Sequence, residues 1–288
     1  MLAPNIEPNA DGPLAEEDVL RAAHTFRETG IVVLDDIYDP TWVAGLHKSY
    51  KQLIEAYLAD RGGIDALDGK TFGKNHIGIH PALFTPWGDA DIVAHPKTSQ
   101  VMAAVLGPDF QSGYYHSNAA YPGSELQPIH RDTIHLFPAA EMNVPTPCVS
   151  LVLNIPLCDF TLANGSTEVW PGSHLILDRD AADTSRDRLA QRAGHLPSLR
   201  TNVRAGSVIL RDLRCWHRGM PNTSDHVRPM LALVYERGWK KKPTLDIPAS
   251  TWESWPESAR HIFRDNRIVP DAEAQRPYRL TQSGQLVK

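Results

Sequence analysis

GSVILRDLRCWHRGMPNTSDHVRPMLALVYE (residues 206–236) contains two apolar runs of strand length, Gly206 to Leu213 and Met230 to Tyr235. The interval between them carries the turn-forming pair Pro221-Asn222. Working back along the chain, segments of the same kind recur at 110–121, 128–137, 148–157 and 166–170, divided by clusters of Pro, Gly, Asn and Asp. Short strands at this spacing form a β-sandwich or barrel. The first hundred residues have a different period. Val19, Leu20, Ala23 and Phe26 recur at helical spacing from Glu16 to Thr29, Gly30 ends that helix, and Ile31 to Leu34 follows as a strand. A second helix is expected from Pro40 to about Asp60, and a third from Thr98 to Leu106, closed by Gly107-Pro108. The expected class is mainly β with flanking helices.

Residues 62–96 are rich in Gly, His and Pro, the composition of long functional loops, and 178–200 is a charged insertion with one solvated helix. A length of 288 residues suggests two domains. A helical layer followed by one series of strands instead fits a single domain over 1–288, with a flexible N-terminus (1–13) and a tail (239–288) packing on the core or a partner subunit. With 42% hydrophobic residues, and 29 basic against 34 acidic side chains, the chain is not a disordered one. A net charge of −5 argues against nucleic-acid or anionic-membrane surfaces. The longest apolar stretch, Cys148 to Leu157, is interrupted by Ser150, Asn154 and Pro156, so no membrane span is expected. The N-terminal residues have acids, prolines and no apolar core, unlike a signal or transit peptide. Three cysteines (Cys148, Cys158, Cys215) without CxxC spacing fit a reducing, cytoplasmic location. Thirteen histidines beside them tilt any metal site toward nitrogen and oxygen ligands.

The chemistry centres on Ile129-His130-Arg131-Asp132. On a strand, residues two apart share a face, so His130 and Asp132 can grip one ion from one side. His217, just beyond the run Gly206 to Leu213, is the best third ligand. Two histidines and a carboxylate on one face leave coordination positions open, the arrangement of non-haem Fe(II) oxygenases. Arg228 follows His217 by 11 positions and opens the next strand, and a turn between Met220 and His226 would make the two strands neighbours. An arginine beside such a centre can anchor a dicarboxylate through its planar fork. Taken without the triad, an HxD triplet is commonplace and Arg228 has the ordinary fate of a surface ion pair. His135, His76 and His80 are competing ligands of similar plausibility.

Three segments together resemble the phytanoyl-CoA dioxygenase family of Fe(II)/2-oxoglutarate oxygenases. They are Gln127-Pro128-Ile129-His130-Arg131-Asp132, the run from Asn164-Gly165 to Pro171-Gly172-Ser173-His174, and Gly206 to Leu210 leading on to His217 and Arg228. The likeness covers about residues 15–240 and is greatest to the fungal branch that tailors secondary metabolites such as meroterpenoids. It implies a double-stranded β-helix (jelly roll), with His130, Asp132 and His217 on Fe(II) and Arg228 on the distal carboxylate of 2-oxoglutarate. It further implies O₂ as cosubstrate, Gln127 and Thr167 as cosubstrate contacts, Lys74 as an additional cation, a small apolar substrate and a homodimer. Trp170 stands where many members have Ile or Val, and Gly219 where acyl-CoA-type members carry a hydroxyl, which leans away from an acyl-CoA substrate. The presence of Asp132 argues against a halogenase.

Smaller assignments accompany these. Asp212 is weighed as a partner orienting a histidine against an exposed strand-end carboxylate. Trp216 is expected as a packing wall and His174 as a structural closure of its loop. Phe72, Ile77, Ile79, Phe84 and Trp87 are expected to line an apolar pocket. Besides an oxygenase, two classes stay open: a metal-dependent non-oxidative enzyme on the same barrel, and a binding protein with a vestigial site. An acyl-CoA-type hydroxylase is the alternative within the family.

Overall fold

The structure is a computed structural model that describes residues 12–67, 73–274 and 278–279. Local signals set the N-terminal layer. Helix α1 (Glu16–Thr29) has Glu16, Glu17 and Asp18 in its first turn, where the helix dipole favours anions, and ends at Gly30 in the left-handed region (φ 77°). Strand β1 (Ile31–Leu34) follows directly. In α2 (Pro40–Arg61) the Asp39 carboxylate accepts from the Thr41 and Trp42 N–H groups and Pro40 supplies the first turn. Val43, Leu46, Tyr50, Leu53 and Tyr57 form its buried face. Strand β2 (His76–Pro81) and helices α3 (Ala90–Ala94) and α4 (Pro96–Leu106) complete this part. Residues 62–96, expected as loop, thus contain a strand and a helix. Glycine and histidine composition hid the alternation of Ile77 and Ile79 with His76, Gly78 and His80.

The strands that follow are β3 (Gln111–Ala120), β4 (Ser150–Pro156) and β5 (Glu168–Val169). After helix α5 (Arg186–Ala193) come β6 (Leu199–Arg200), β7 (Val208–Asp212), β8 (His217–Arg218) and β9 (Arg228–Glu236). The tail adds β10 (Asp246–Pro248), α6 (Ala249–Ser254), α7 (Glu257–Ile262), β11 (Arg267–Val269) and β12 (Tyr278–Arg279). One seven-stranded sheet has the order β1-β7-β4-β9-β3-β2-β12, and a three-stranded sheet the order β6-β5-β8. This pair of sheets is the expected mainly β architecture.

The large sheet has two unlike faces. Leu153 on β4 lies opposite Leu233 on β9, and both join the core with Phe26 of α1 and Leu46 of α2. Trp255, Ile262 and Phe263 of the tail pack into the same core. On the opposite face, Ile31, Val33 and Ile209 pack against Val169 of β5, which fixes the small sheet over the large one. Among the described residues no helix is long and apolar enough to cross a membrane.

Three expectations need correction. The segment 128–137 is not a strand: only His130 makes an isolated bridge, to His217, and the chain then leaves the sheet. Strands β8 and β9 are not neighbours, because β8 pairs with β5 in the small sheet and β9 with β3 and β4 in the large one. His217 and Arg228 therefore belong to facing sheets. The helix of the 178–200 insertion is amphipathic rather than fully solvated, burying Leu189 and Ala193 against Ile129, Trp170 and Trp216.

Candidate active site

His130, Asp132 and His217 bring one possible ligand atom each within 4.8 Å of one another. Backbone pairing achieves this. His130 and His217 exchange N–H···O=C bonds of 3.0 and 2.9 Å, and the Asp132 N–H donates to the Leu213 carbonyl at 2.9 Å. The His130 Nδ1 lies 2.9 Å from the Pro128 carbonyl and the His217 Nδ1 3.0 Å from the Cys215 carbonyl. With both Nδ1–H groups donating to carbonyls, the Nε2 lone pairs are left for a metal. His217 Nε2 is 3.7 Å from Asp132 Oδ1. Burial, reinforced by the Arg211 guanidinium, holds the His217 imidazole well below its ordinary range, so it is neutral and able to ligate. Burial pushes the Asp132 carboxyl up, but the Arg211 guanidinium, which also donates to it, outweighs burial and keeps the group ionised. The donor set fits a divalent metal of the kind bound by imidazole and carboxylate.

Arg211 was not singled out by the sequence. Its Nη2 donates to Asp132 Oδ2 at 2.7 Å, and its Nη1 lies 3.1 Å from His217 Nδ1. Alternation on β7 was the available signal: Arg211 shares a face with Ile209, whereas Asp212 faces away. Asp212, weighed as the orienting partner, instead forms a buried pair with Arg214 at 2.8 Å. An Arg211→Met substitution is expected to weaken divalent-metal affinity by about 10–100-fold while leaving the three ligands in place, measured by Mn(II) titration.

Arg228 is 1% exposed, and its Nε and Nη1 have no hydrogen-bond partner among the described residues. Its guanidinium stacks 4.6 Å over the Phe160 ring. Burial lowers it to about 10, so it is still charged at neutral pH. A buried cation with unused donors is costly unless an anion completes it. Nearby, the Gln127 N–H donates to the Gly219 carbonyl at 3.0 Å, and the Gly219 N–H donates to Gln127 Oε1 at 2.8 Å. A Cβ on Gly219 would stand 2.5 Å from that oxygen and 2.8 Å from His76 Cε1. Gly219→Ala is expected to destabilise the chain by about 1–3 kcal/mol, read from the denaturation midpoint. The half-buried Thr167 precedes β5; its carbonyl accepts from the Thr201 N–H at 2.9 Å, and its hydroxyl has no partner among the described residues. Lys74 is placed at the surface, 3.8 Å from Glu125.

The competing histidines have other partners: His135, His76 and His80 bond the carbonyls of Ile176, Glu125 and Tyr115. His174, expected as a structural closure, bonds the Arg27 carbonyl. Trp216 is fully buried as a packing wall. The expected apolar pocket is not where the sequence put it. Ile77, Ile79 and Trp87 belong to the core on the helix side; Phe84 is half-buried, and Phe72 lies outside the described residues. The wall shared with Arg211 carries Tyr114, His116 and Asn118 on β3 beside Val234, Ala232 and Met230 on β9. The sequence did not reveal that the first three share this face.

The model of the family described as Phytanoyl-CoA dioxygenase (PhyH) matches residues 26–230. Among curated proteins, "Dioxygenase andF" of Emericella variicolor is 24% identical over 217 residues, covering 74% of this chain and 70% of that protein. "Dioxygenase trt7" of Aspergillus terreus is 25% identical over 219 residues, covering 74% and 71%. The solved structure of the epimerase SnoN with Fe3+, alpha ketoglutarate and nogalamycin RO has a TM-score of 0.59 at 20% identity, over 77% of this chain and 85% of that one. EctD from S. alaskensis in its apoform has a TM-score of 0.57 at 24% identity, over 81% and 83%. These structural likenesses concern the fold, a cupin-like one, as the paired sheets already indicated. With most of its length matched and its strands in that arrangement, the chain belongs to the phytanoyl-CoA dioxygenase (PhyH) family.

Proposed function

We propose that this dioxygenase-family chain uses Fe(II), 2-oxoglutarate and O₂ to oxidise a C–H bond of a small natural product in secondary metabolism. One observation carries the reading: the convergent donor atoms of His130, Asp132 and His217 share a chain with a buried guanidinium, Arg228, whose Nε and Nη1 are unused. His130, Asp132 and His217 hold the metal, and Arg211 positions Asp132 through its second oxygen. Arg228 receives the distal carboxylate of 2-oxoglutarate by charge-assisted hydrogen bonds, with Gln127 and Thr167 lining that end. Lys74, at the surface with its ammonium 3.8 Å from Glu125, is the additional cation of this reading. When bound, iron with 2-oxoglutarate supplies a C–H oxidation coupled to release of succinate and CO₂. The protein binds the cosubstrate in one orientation, keeps Asp132 ionised and His217 neutral, and holds the substrate against the metal-facing wall. The fungal relatives, named as dioxygenases, support the reaction class, and the SnoN structure, which holds alpha ketoglutarate and nogalamycin RO, supports the cosubstrate and a natural-product substrate.

The test is succinate release from 2-oxoglutarate by the Fe(II)-loaded chain, in air and under strict anaerobiosis. O₂-dependent release is expected. Equal turnover without O₂ would overturn the oxygenase reading and favour a non-oxidative metal enzyme on the same fold.

A further inference from the structure

The segment that carries His130 and Asp132 has little strand support. Its backbone is placed by the exchange between His130 and His217 and by the N–H groups of Asp132 and Thr133, which donate to the Leu213 carbonyl at 2.9 and 3.2 Å. Arg211 steadies the Asp132 carboxylate from the β7 side. Between the two ligands stands Arg131, whose side chain is only 3% exposed. In an extended stretch it faces the opposite way from its two neighbours. Its Nη2 donates at 2.6 Å to Asp178 Oδ2, and its Nε and Nη1 have no partner among the described residues. The hydrogen bonding of this buried cation therefore rests on one carboxylate, 47 residues further along the chain.

We propose that Asp178 is a positioning residue for the metal site, acting through Arg131 to hold the 130–132 backbone where His130 and Asp132 converge on the ion. The proposal rests on the metal assignment of the oxygenase reading and adds the 176–193 segment to what maintains that site. Removing one partner of a buried ion pair leaves a charge uncompensated, and the remaining group moves toward water or another partner. Here the remaining group would be Arg131, covalently fixed between two ligands. A shift of Arg131 carries His130 and Asp132 with it. Their donor atoms then lose the common focus that puts them within 4.8 Å of each other and of His217.

Asp178 is itself well held, as an anchor must be. Arg192 of α5 lies 3.4 Å from its Oδ1 and donates to the Leu177 carbonyl at 2.9 Å. The same guanidinium lies 5.2 Å from the centre of the Trp216 ring. The Trp170 indole N–H donates to the Ala193 carbonyl at 3.1 Å, and Leu189 packs with Ile129 and Trp216. The segment is thus docked by contacts that do not involve Arg131. Arg192 serves that docking, whereas the bond from Asp178 to Arg131 reaches the stretch between the two ligands.

The experiment is Mn(II) titration of the full chain without cosubstrate, with the EPR spectrum of the bound ion and the melting temperature recorded for each variant. Asp178→Asn and Arg131→Met are each expected to lower Mn(II) affinity by about 10–100-fold and to change the EPR line shape. Because both act through one bond, the double variant is expected to lie within about threefold of the weaker single one. Asp178→Glu, which keeps the carboxylate, is expected to retain Mn(II) affinity to within about threefold of the wild type. Arg192→Met loosens the same segment without touching Arg131. It is expected to lower the melting temperature while leaving Mn(II) affinity within about threefold of the wild type. Unchanged Mn(II) affinity in both Asp178→Asn and Arg131→Met would overturn the proposal. So would an equal loss in Arg192→Met, which would assign the effect to docking of the segment, or losses that multiply in the double variant. Arg131→Met leaves Asp178 beside Arg192 and strands no charge, so it carries the test if Asp178→Asn does not fold. Failure of the oxygenase reading is distinct: the wild type would then not bind Mn(II), or would turn over without O₂, whereas failure of the proposal shows only in the comparison of variants.

Discussion

His217→Ala leaves the chain folded and unable to retain iron. The backbone bridge between residues 130 and 217 uses main-chain atoms and persists, so the small sheet keeps its attachment. What is lost is the Nε2 donor facing Asp132, and with it one of three ligands. Removing an orienting partner alone costs about 10–100-fold in metal affinity, and removing a ligand costs more. Fe(II)-dependent succinate release is expected to fall to background, and Mn(II) affinity by more than about 100-fold. Circular dichroism should be unchanged, because the side chain donates only to the Cys215 carbonyl, and Arg211 keeps Asp132. Retention of stoichiometric Fe(II) by this variant would remove the triad assignment.

Arg228→Met separates a ligand clamp from a structural ion pair. If Arg228 served the fold, its replacement would destabilise the empty protein. A buried guanidinium with two unused N–H groups instead carries a desolvation cost without an ion-pair return, offset by its stacking on Phe160. The ligand-free variant is therefore expected to melt no lower than the wild type. Its 2-oxoglutarate affinity is expected to fall by about 100-fold, since truncating one partner of a buried charge pair costs about 2–5 kcal/mol. The thermal shift produced by 2-oxoglutarate should vanish with it. Mn(II) binding should be retained, because the metal ligands are on other elements. Unchanged cosubstrate affinity would refute the clamp.

Much of the fold was legible in local pattern. Three acids followed by helical periodicity and Gly30 bound α1, and the apolar runs around Leu153, Leu210 and Leu233 mark β4, β7 and β9. The triad and Arg228 were legible because their residue types and order are themselves the signal. Their pairing was not. His130 and His217 meet through a single bridge, too short to leave a periodic pattern, and Arg228 approaches from the facing sheet rather than from an adjacent strand.

The sequence by itself determined the long strands β1, β3, β4, β7 and β9 and the identity of the metal-competent side chains, since hydrophobic period and ligand chemistry are properties of short segments. Which face each side chain takes was decided only by tertiary structure, and β3 shows why. Ser112 pairs with Tyr235 and Tyr114 with Val234, so a bulge at Gly113 inserts one residue into the ladder. Strict alternation from Ser112 would turn Tyr114, His116 and Asn118 toward the helices; the inserted residue turns them toward the metal-facing wall. The backbone at Gly113 is pressed against the Pro243 carbonyl, where a Cβ would stand at 2.0 Å, so a contact with the distant tail accompanies the shift. A one-residue slip exchanges the two faces of a strand, and no local pattern records it.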